Sequence, residues 1–188
     1  MKTVSFMTGN AQMKNKLLIV YTLERLLKTM TFSEITVKKL IAESGVSRST
    51  FYRNFRDKYD VGNWYFRMQF QKVFENPHNQ TLKDIYYGLS FFMGQEDRDL
   101  LKAMVDDIGQ NNTFDFISDT FYDFWKVKYE KSTGHQLTES EAFHLAILAK
   151  GGADVWKHWL KHKKVIDPQL ISDYFVHCTP DFLKQIMP

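Results

Sequence analysis

A single cysteine, Cys178, stands in a chain of 188 residues. One thiol excludes an internal disulfide, and beside His177 it has no second cysteine with which to build a metal knuckle, so a reducing compartment is expected. Long apolar runs are missing too: nothing approaches the roughly 18 consecutive apolar residues of a membrane-spanning helix. The first residues lack the charged flank, apolar stretch and small-residue cleavage site of a signal peptide. These absences lead to the expectation of a cytoplasmic protein with no membrane partner.

The usual marks of catalysis are absent as well. The chain has no Gly-rich phosphate loop, nucleophile elbow or dinucleotide fingerprint, so neither an enzyme nor a cofactor is expected. Asp106 and Asp107 are adjacent, and neighbouring residues on a helix do not face each other, which reads as solvated surface. His158 and His162 have the spacing of a helical metal pair. The segment lacks a glutamate after the first histidine and is crowded by Lys157, Lys161, Lys163 and Lys164, so no metal is expected.

What is present is a soluble globular composition, 44% hydrophobic and 25% charged, with 16 Phe. Interiors rich in aromatics either fill a helical core or leave room for ligands. Net charge is only +3, but it is unevenly spread. Residues 1–58 carry 11 Lys+Arg against 4 Asp+Glu, whereas residues 59–188 carry 14 against 18. The first segment therefore has a balance of +7 and the second of −4, which points the basic part towards a polyanion.

That basic part contains the most legible stretch, Thr36 to Lys58. Val37, Leu40 and Ile41 fall at helical spacing, Gly45 tolerates the left-handed backbone of a tight turn, and Ser47 is placed to cap a second helix. The pattern predicts a helix-turn-helix. Phe51 and Phe55 anchor the second helix with help from Val46. Ser47, Arg48, Ser49 and Thr50 then occupy its first turn, where base edges come nearest, and Arg48 is suited to guanine O6 and N7. Thr36, Tyr52 and Lys58 are candidates for gripping phosphate, Thr36 through its hydroxyl or the amides of a helix start. Arg53 and Asn54 are further candidates, for phosphate on the far strand.

From Phe32 to Val61 the chain resembles the TetR family of transcriptional regulators. The resemblance rests on Thr36, Ile41, Ala42, Gly45, Val46, Ser47, Thr50, Phe51, Tyr52, Phe55 and Lys58, and covers about a sixth of the chain. Thr31 stands where the family has a glycine and Ser44 where it commonly has alanine. The resemblance implies an all-α fold, a homodimer on a two-fold double-stranded operator, and regulation that is usually repression. It also implies that the helix after the reader acts as a lever between effector and operator.

The expected organisation is a DNA-binding domain over residues 1–58 and a sensing and dimerisation domain over residues 59–188, with about nine helices. Residues 1–13 show no periodicity and suggest a frayed arm, with Lys2, Lys14 and Lys16 near phosphates. Ile19, Leu23, Leu26 and Met30 mark a first helix. A longer helix from Asp57 to about Glu75 carries Val61, Trp64, Tyr65 and Met68. Three more stripes follow, of which the second includes Val105 and Ile108, with breaks at Gly109, Asn111–Asn112 and Gly134. Trp64, Tyr86, Phe91, Met93, Met104, Phe121 and Trp125 either line an apolar pocket or simply pack the core.

Thr138 and Glu141 form a capping box that opens the longest helix. Ala142, Ala146, Ala149, Gly152, Ala153, Trp156 and Leu160 make a small-residue stripe along it, fit either for a symmetric dimer seam or for close packing within one subunit. Asp167–Pro168 starts a helix with Leu170, Ile171, Tyr174 and Phe175, and Thr179–Pro180 starts a short last one with Phe182, Leu183 and Ile186, which closes the domain or flanks the seam. The functional expectation is a homodimeric regulator, a repressor released from a palindromic operator by a small apolar or aromatic effector. The alternative is an activator whose C-terminal domain answers to a co-regulator protein.

Overall fold

The structure is a computed structural model that describes residues 11–96, 98–105, 113–162 and 167–187. Lys2, Asp106, Asp107, Ile108, Gly109, Asn111, Asn112, Lys163 and Lys164 lie outside the described residues, as does the side chain of Val105. Among the described residues every regular element is helical: ten α-helices and one π-helical turn. The chain divides into two compact units, Met1–Tyr65 and Phe66–Pro188.

In the first unit α1 spans Ala11–Leu27, α2 Val37–Ser44 and α3 Arg48–Asn54, and the start of α4, Lys58–Phe74, belongs to it. Residues 11–13, expected in the arm, are helical. Ile19, Leu23 and Leu26 of α1 are buried with Leu40 of α2, Phe51 of α3 and the connecting Phe32, Ile35 and Phe55. Met30 falls beyond the end of α1 and is half-buried. The unit extends seven residues past the boundary expected at Lys58. Val61 and Tyr65 are buried, and Phe55 meets Trp64 edge-on at 5.9 Å, so the first turns of α4 complete this small core.

The loop before α2 does without the family's glycine. Thr31 donates its amide and its hydroxyl to the Glu34 carboxylate, both at 2.8 Å, which closes the turn through side-chain chemistry. Ser44, the other departure, is buried and gives its hydroxyl to the Ile41 carbonyl at 3.3 Å.

The second unit holds the rest of α4, then α5 (Leu82–Phe91), a π-helical turn (Phe92–Glu96), α6 (Arg98–Val105), α7 (Thr113–Thr133), α8 (Glu139–Lys161), α9 (Pro168–Cys178) and α10 (Asp181–Lys184). Helix α5 packs along α9, and α7 along α8. Its starts are chemically defined: Thr81 with Asp84 and Thr138 with Glu141 form reciprocal capping boxes, and Asp167 caps α9 ahead of Pro168. Gly134 ends α7 at φ 74°, a conformation that a β-carbon disfavours. Phe66, Phe70 and Phe92 form an edge-packed aromatic cluster, and Phe74 stacks on Phe124 at 3.6 Å. Leu183 of α10 is buried and Phe182 meets Tyr129 edge-on at 5.4 Å, so the last helix closes the unit.

Candidate nucleic-acid interface

The interface is built on a turn that only a few residue types permit. Gly45 ends α2 at φ 70°, with its amide on the Ile41 carbonyl, and a β-carbon there would meet nothing within 4 Å. The glycine is therefore required by its backbone angle rather than by crowding. Two residues on, the Ser47 hydroxyl accepts the Thr50 amide at 3.1 Å and starts α3. An N-cap of this kind is worth about 1 kcal/mol.

The buried Phe51 and Phe55 hold one side of α3, and most of the remaining residues from Ser47 to Arg53 face outwards. Ser47, Arg48, Ser49, Tyr52 and Arg53 are exposed and Thr50 is half-exposed. Hydrogen bonds join the first turn: Ser47 donates to Thr50 at 2.8 Å and lies 3.0 Å from the Ser49 hydroxyl, while Arg53 reaches Thr50 Oγ1 at 3.4 Å. The Arg48 guanidinium lies 5.1 Å from the centroid of the Tyr52 ring, and Tyr52 in turn meets Phe51 edge-on at 5.4 Å. A planar cation is thus held on a ring that is itself seated on the core.

Thr36 sits at the exposed start of α2, its hydroxyl accepting the Lys39 amide at 3.2 Å. Lys38 and Lys39 follow in the first turn, which holds no acidic residue. Helix starts favour negative charge, so two lysines there suit an anion brought from outside. Their signature in the sequence is a pair of cations at the start of a helix, the end that ordinarily favours acidic residues.

Two expected contacts are placed differently. The Asn54 amide turns back onto its own helix: Nδ2 donates to the Thr50 carbonyl at 2.7 Å and Oδ1 is buried without a hydrogen-bond partner. The exposed side of α3 therefore presents Arg53, not Asn54. The Lys58 ammonium donates to the Phe32 carbonyl at 2.6 Å and the Ser33 carbonyl at 3.2 Å, and lies 4.6 Å from the Phe32 ring centroid. Its position ties the start of α4 to the loop before α2.

The expected pocket is only partly assembled. Tyr86, Met93 and Phe121 line one interior cavity of ≈ 40 Å³, together with Ser90, Ser118 and Trp156. Trp125 is buried beside Tyr86, 6.3 Å between centroids, and does not reach the cavity. Met104 is buried near the Thr113 hydroxyl, Phe91 is exposed and stacks on Tyr87, and Trp64 belongs to the first unit. Sequence spacing identified apolar faces but not which face met which.

The small-residue stripe on α8, read as a dimer seam or as packing within one subunit, is largely covered within the protomer. Ala149, Ala153, Trp156 and Leu160 are buried within the protomer, Ala142 and Ala146 are half-buried, and Gly152 lies against Phe175, whose Cε1 would be 2.9 Å from an added β-carbon. Close approach along this stripe is therefore internal. The exposed apolar residues lie one position round: Phe143 (63% exposed), Ile147 (60%) and Val155 on α8, with Leu170 and Tyr174 on α9. Of these, Ile147, Val155 and Tyr174 line an open groove of ≈ 390 Å³ between the two helices.

No metal-sized group of His, Cys, Asp and Glu occurs among the described residues, and the rings of His158 and His162 lie 4.1 Å apart with His162 Nδ1 on the His158 carbonyl. No described helix is long and apolar enough to cross a membrane.

No protein-family model and no curated protein sequence matches the chain. Solved structures do. The dihydroxyacetone kinase operon activator DhaS superposes with a TM-score of 0.64 at 14% identity, over 93% of this chain and 97% of its own. A TetR transcriptional regulator from Streptococcus agalactiae gives 0.59 at 17%, over 95% and 96%. The TetR family repressor AlkX from Dietzia sp., implicated in biodegradation of n-alkanes, gives 0.54 at 15%, over 92% and 97%. In its helical architecture and nearly end-to-end match to these structures, the chain has the fold of a TetR-type transcriptional regulator.

Proposed function

We propose that this protein is a homodimeric DNA-binding transcriptional regulator, not an enzyme, and that it represses from a palindromic operator until a small apolar or aromatic molecule binds its C-terminal unit. The observation that carries the DNA reading is the first turn of α3. Its hydroxyls and Arg48 are exposed and already ordered, with the guanidinium held over Tyr52 on a buried Phe51. Arg48, Ser49 and Thr50 read base edges, while Thr36, Lys38, Lys39 and Tyr52 meet phosphate.

A second copy covers the apolar face of α8 and α9. Phe143, Ile147 and Tyr174 are too exposed and too apolar for a surface facing water alone. Two-fold pairing there presents two α3 helices to two half-sites, which need to lie about 34–36 Å apart or a multiple of that turn. Retention of the protein's own promoter DNA on the purified chain tests the reading. Sequence-selective, salt-sensitive retention is expected, and indifference to sequence at every salt concentration would remove it.

One observation favours a second reading, an activator that answers to a partner protein. The interior cavity of ≈ 40 Å³ is far below the ~300 Å³ at which ligand sites begin. The DhaS neighbour, described as an operon activator, supports the same alternative. Deleting the gene separates the two: a repressor's promoter rises and an activator's falls.

A further inference from the structure

The interior cavity between α5, α7, α8 and α9 has an unusual polar inventory. Its lining includes no charged side chain, and its aromatic walls are Phe70, Tyr86, Phe121, Trp156 and Phe175. Tyr86 stacks on Phe175 at 5.4 Å and on Phe121 at 6.1 Å. The Tyr86 phenol is already used: it donates to Thr179 Oγ1 at 2.7 Å, and Thr179 donates onward to the Phe175 carbonyl at 2.8 Å. Burial holds that phenol well above its ordinary pKa, so it stays neutral.

Ser118 differs from these. Its side chain lines the cavity, the residue is 1% exposed, and its hydroxyl has no hydrogen-bond partner. A buried hydroxyl left unmade costs about 1–3 kcal/mol, which a ligand oxygen would relieve. A charged group entering the same walls would find no counter-charge and would lose its hydration.

The cavity is too small for a ring, since a benzene-sized ligand needs roughly 150 Å³. It shares a wall with much more space. Phe175 lines both the cavity and the α8–α9 groove of ≈ 390 Å³, as do Leu148 and Gly152. Turning the Phe175 ring outwards merges the two into a site of ordinary ligand size.

From this geometry we infer that the C-terminal unit binds a small, uncharged aromatic molecule carrying one hydrogen-bonding oxygen, seated on the Ser118 hydroxyl and admitted by displacement of Phe175. The inference rests on the effector-responsive reading above and names its ligand class. Phenol presents that chemistry, benzene lacks the oxygen, and benzoate adds a charge.

Calorimetric titration of the full-length protein with all three tests it. Phenol is expected to bind more tightly than benzene, and benzoate not to bind. Ser118→Ala is expected to weaken phenol by about three- to tenfold while leaving benzene unchanged, the equivalent of one neutral hydrogen bond. Phe175→Ala, which removes the partition, is expected to tighten both. Absence of phenol binding, phenol affinity indifferent to Ser118→Ala, or benzoate binding as tightly as phenol would each overturn the inference. Promoter DNA retention, measured on the same preparations without phenol, fails only if the regulator reading fails, so the two outcomes are separable.

Discussion

The guanidinium of Arg48 rests 5.1 Å from the centre of the Tyr52 ring, one helical turn along α3. On the proposed DNA-binding reading Tyr52 has two separable tasks, holding Arg48 with its ring and meeting phosphate with its hydroxyl. Tyr52→Phe keeps the ring, so base preference is expected to survive while affinity falls by a similar factor on every sequence. Tyr52→Ala releases Arg48 and is expected to lose about 1–3 kcal/mol of discrimination at the base pair that Arg48 reads, as Arg48→Ala does. Competition binding against operator variants with single base changes measures both. Equal discrimination in the Phe and Ala variants would show that the ring does not position the arginine.

Lys58 is expected to matter more for stability than for binding. Its ammonium donates to two loop carbonyls from Phe32 and Ser33. Lys58→Met keeps much of the stem but leaves those carbonyls without this charged donor, and is expected to cost about 1–2 kcal/mol in denaturant unfolding. If phosphate is its main partner instead, stability will hardly change and the salt dependence of DNA binding will fall by about one counterion.

The contrast between these residues shows what the sequence carried. Gly45, Ser47, Phe51 and the caps at Thr138 and Asp167 act within a few residues of chain, and spacing alone placed them. Asn54 and Lys58 were read by type and exposure, yet their partners lie inside the protein, one turn away for Asn54 and 25 or 26 residues away for Lys58. On α8 the period was legible but its phase was not. Alanines at intervals of four and three mark close approach, and only the packed structure tells that the approaching surface includes Phe175 of the same chain.

The three capping and turn carboxylates should make the fold acid-sensitive. Backbone and side-chain hydrogen bonds from Thr31 lower the pKa of Glu34, bonds from Thr81 lower that of Asp84, and bonds from Thr138 lower that of Glu141. A carboxylate whose folded pKa lies below its unfolded one binds protons more readily when unfolded. Its stabilisation is therefore present above the ordinary carboxylate range and is lost as pH falls through that range to the folded value. The melting temperature is expected to be flat near neutrality and to drop below about pH 5. Glu141→Gln retains a side chain able to cap and should shallow that drop. An unchanged acid profile would mean that Glu141 contributes nothing to it.

Helix α8 supplies the sharpest test of assembly, because neighbouring positions on it should respond in opposite ways. Ile147 is 60% exposed beside the α8–α9 groove, whereas Ala149 is buried against the rest of its own unit. Ile147→Glu puts a charge on the face proposed to meet a second copy, where an unpaired charge in an apolar interface costs several kcal/mol. The variant should keep its helicity and melting temperature at low concentration, sediment as a monomer, and lose affinity for a palindrome far more than for a half-site. Ala149→Glu forces the same charge into a packed interior and should unfold the C-terminal unit outright. If Ile147→Glu remains dimeric, the second copy docks elsewhere, and the exposed Phe143, Val155 and Tyr174 serve another partner.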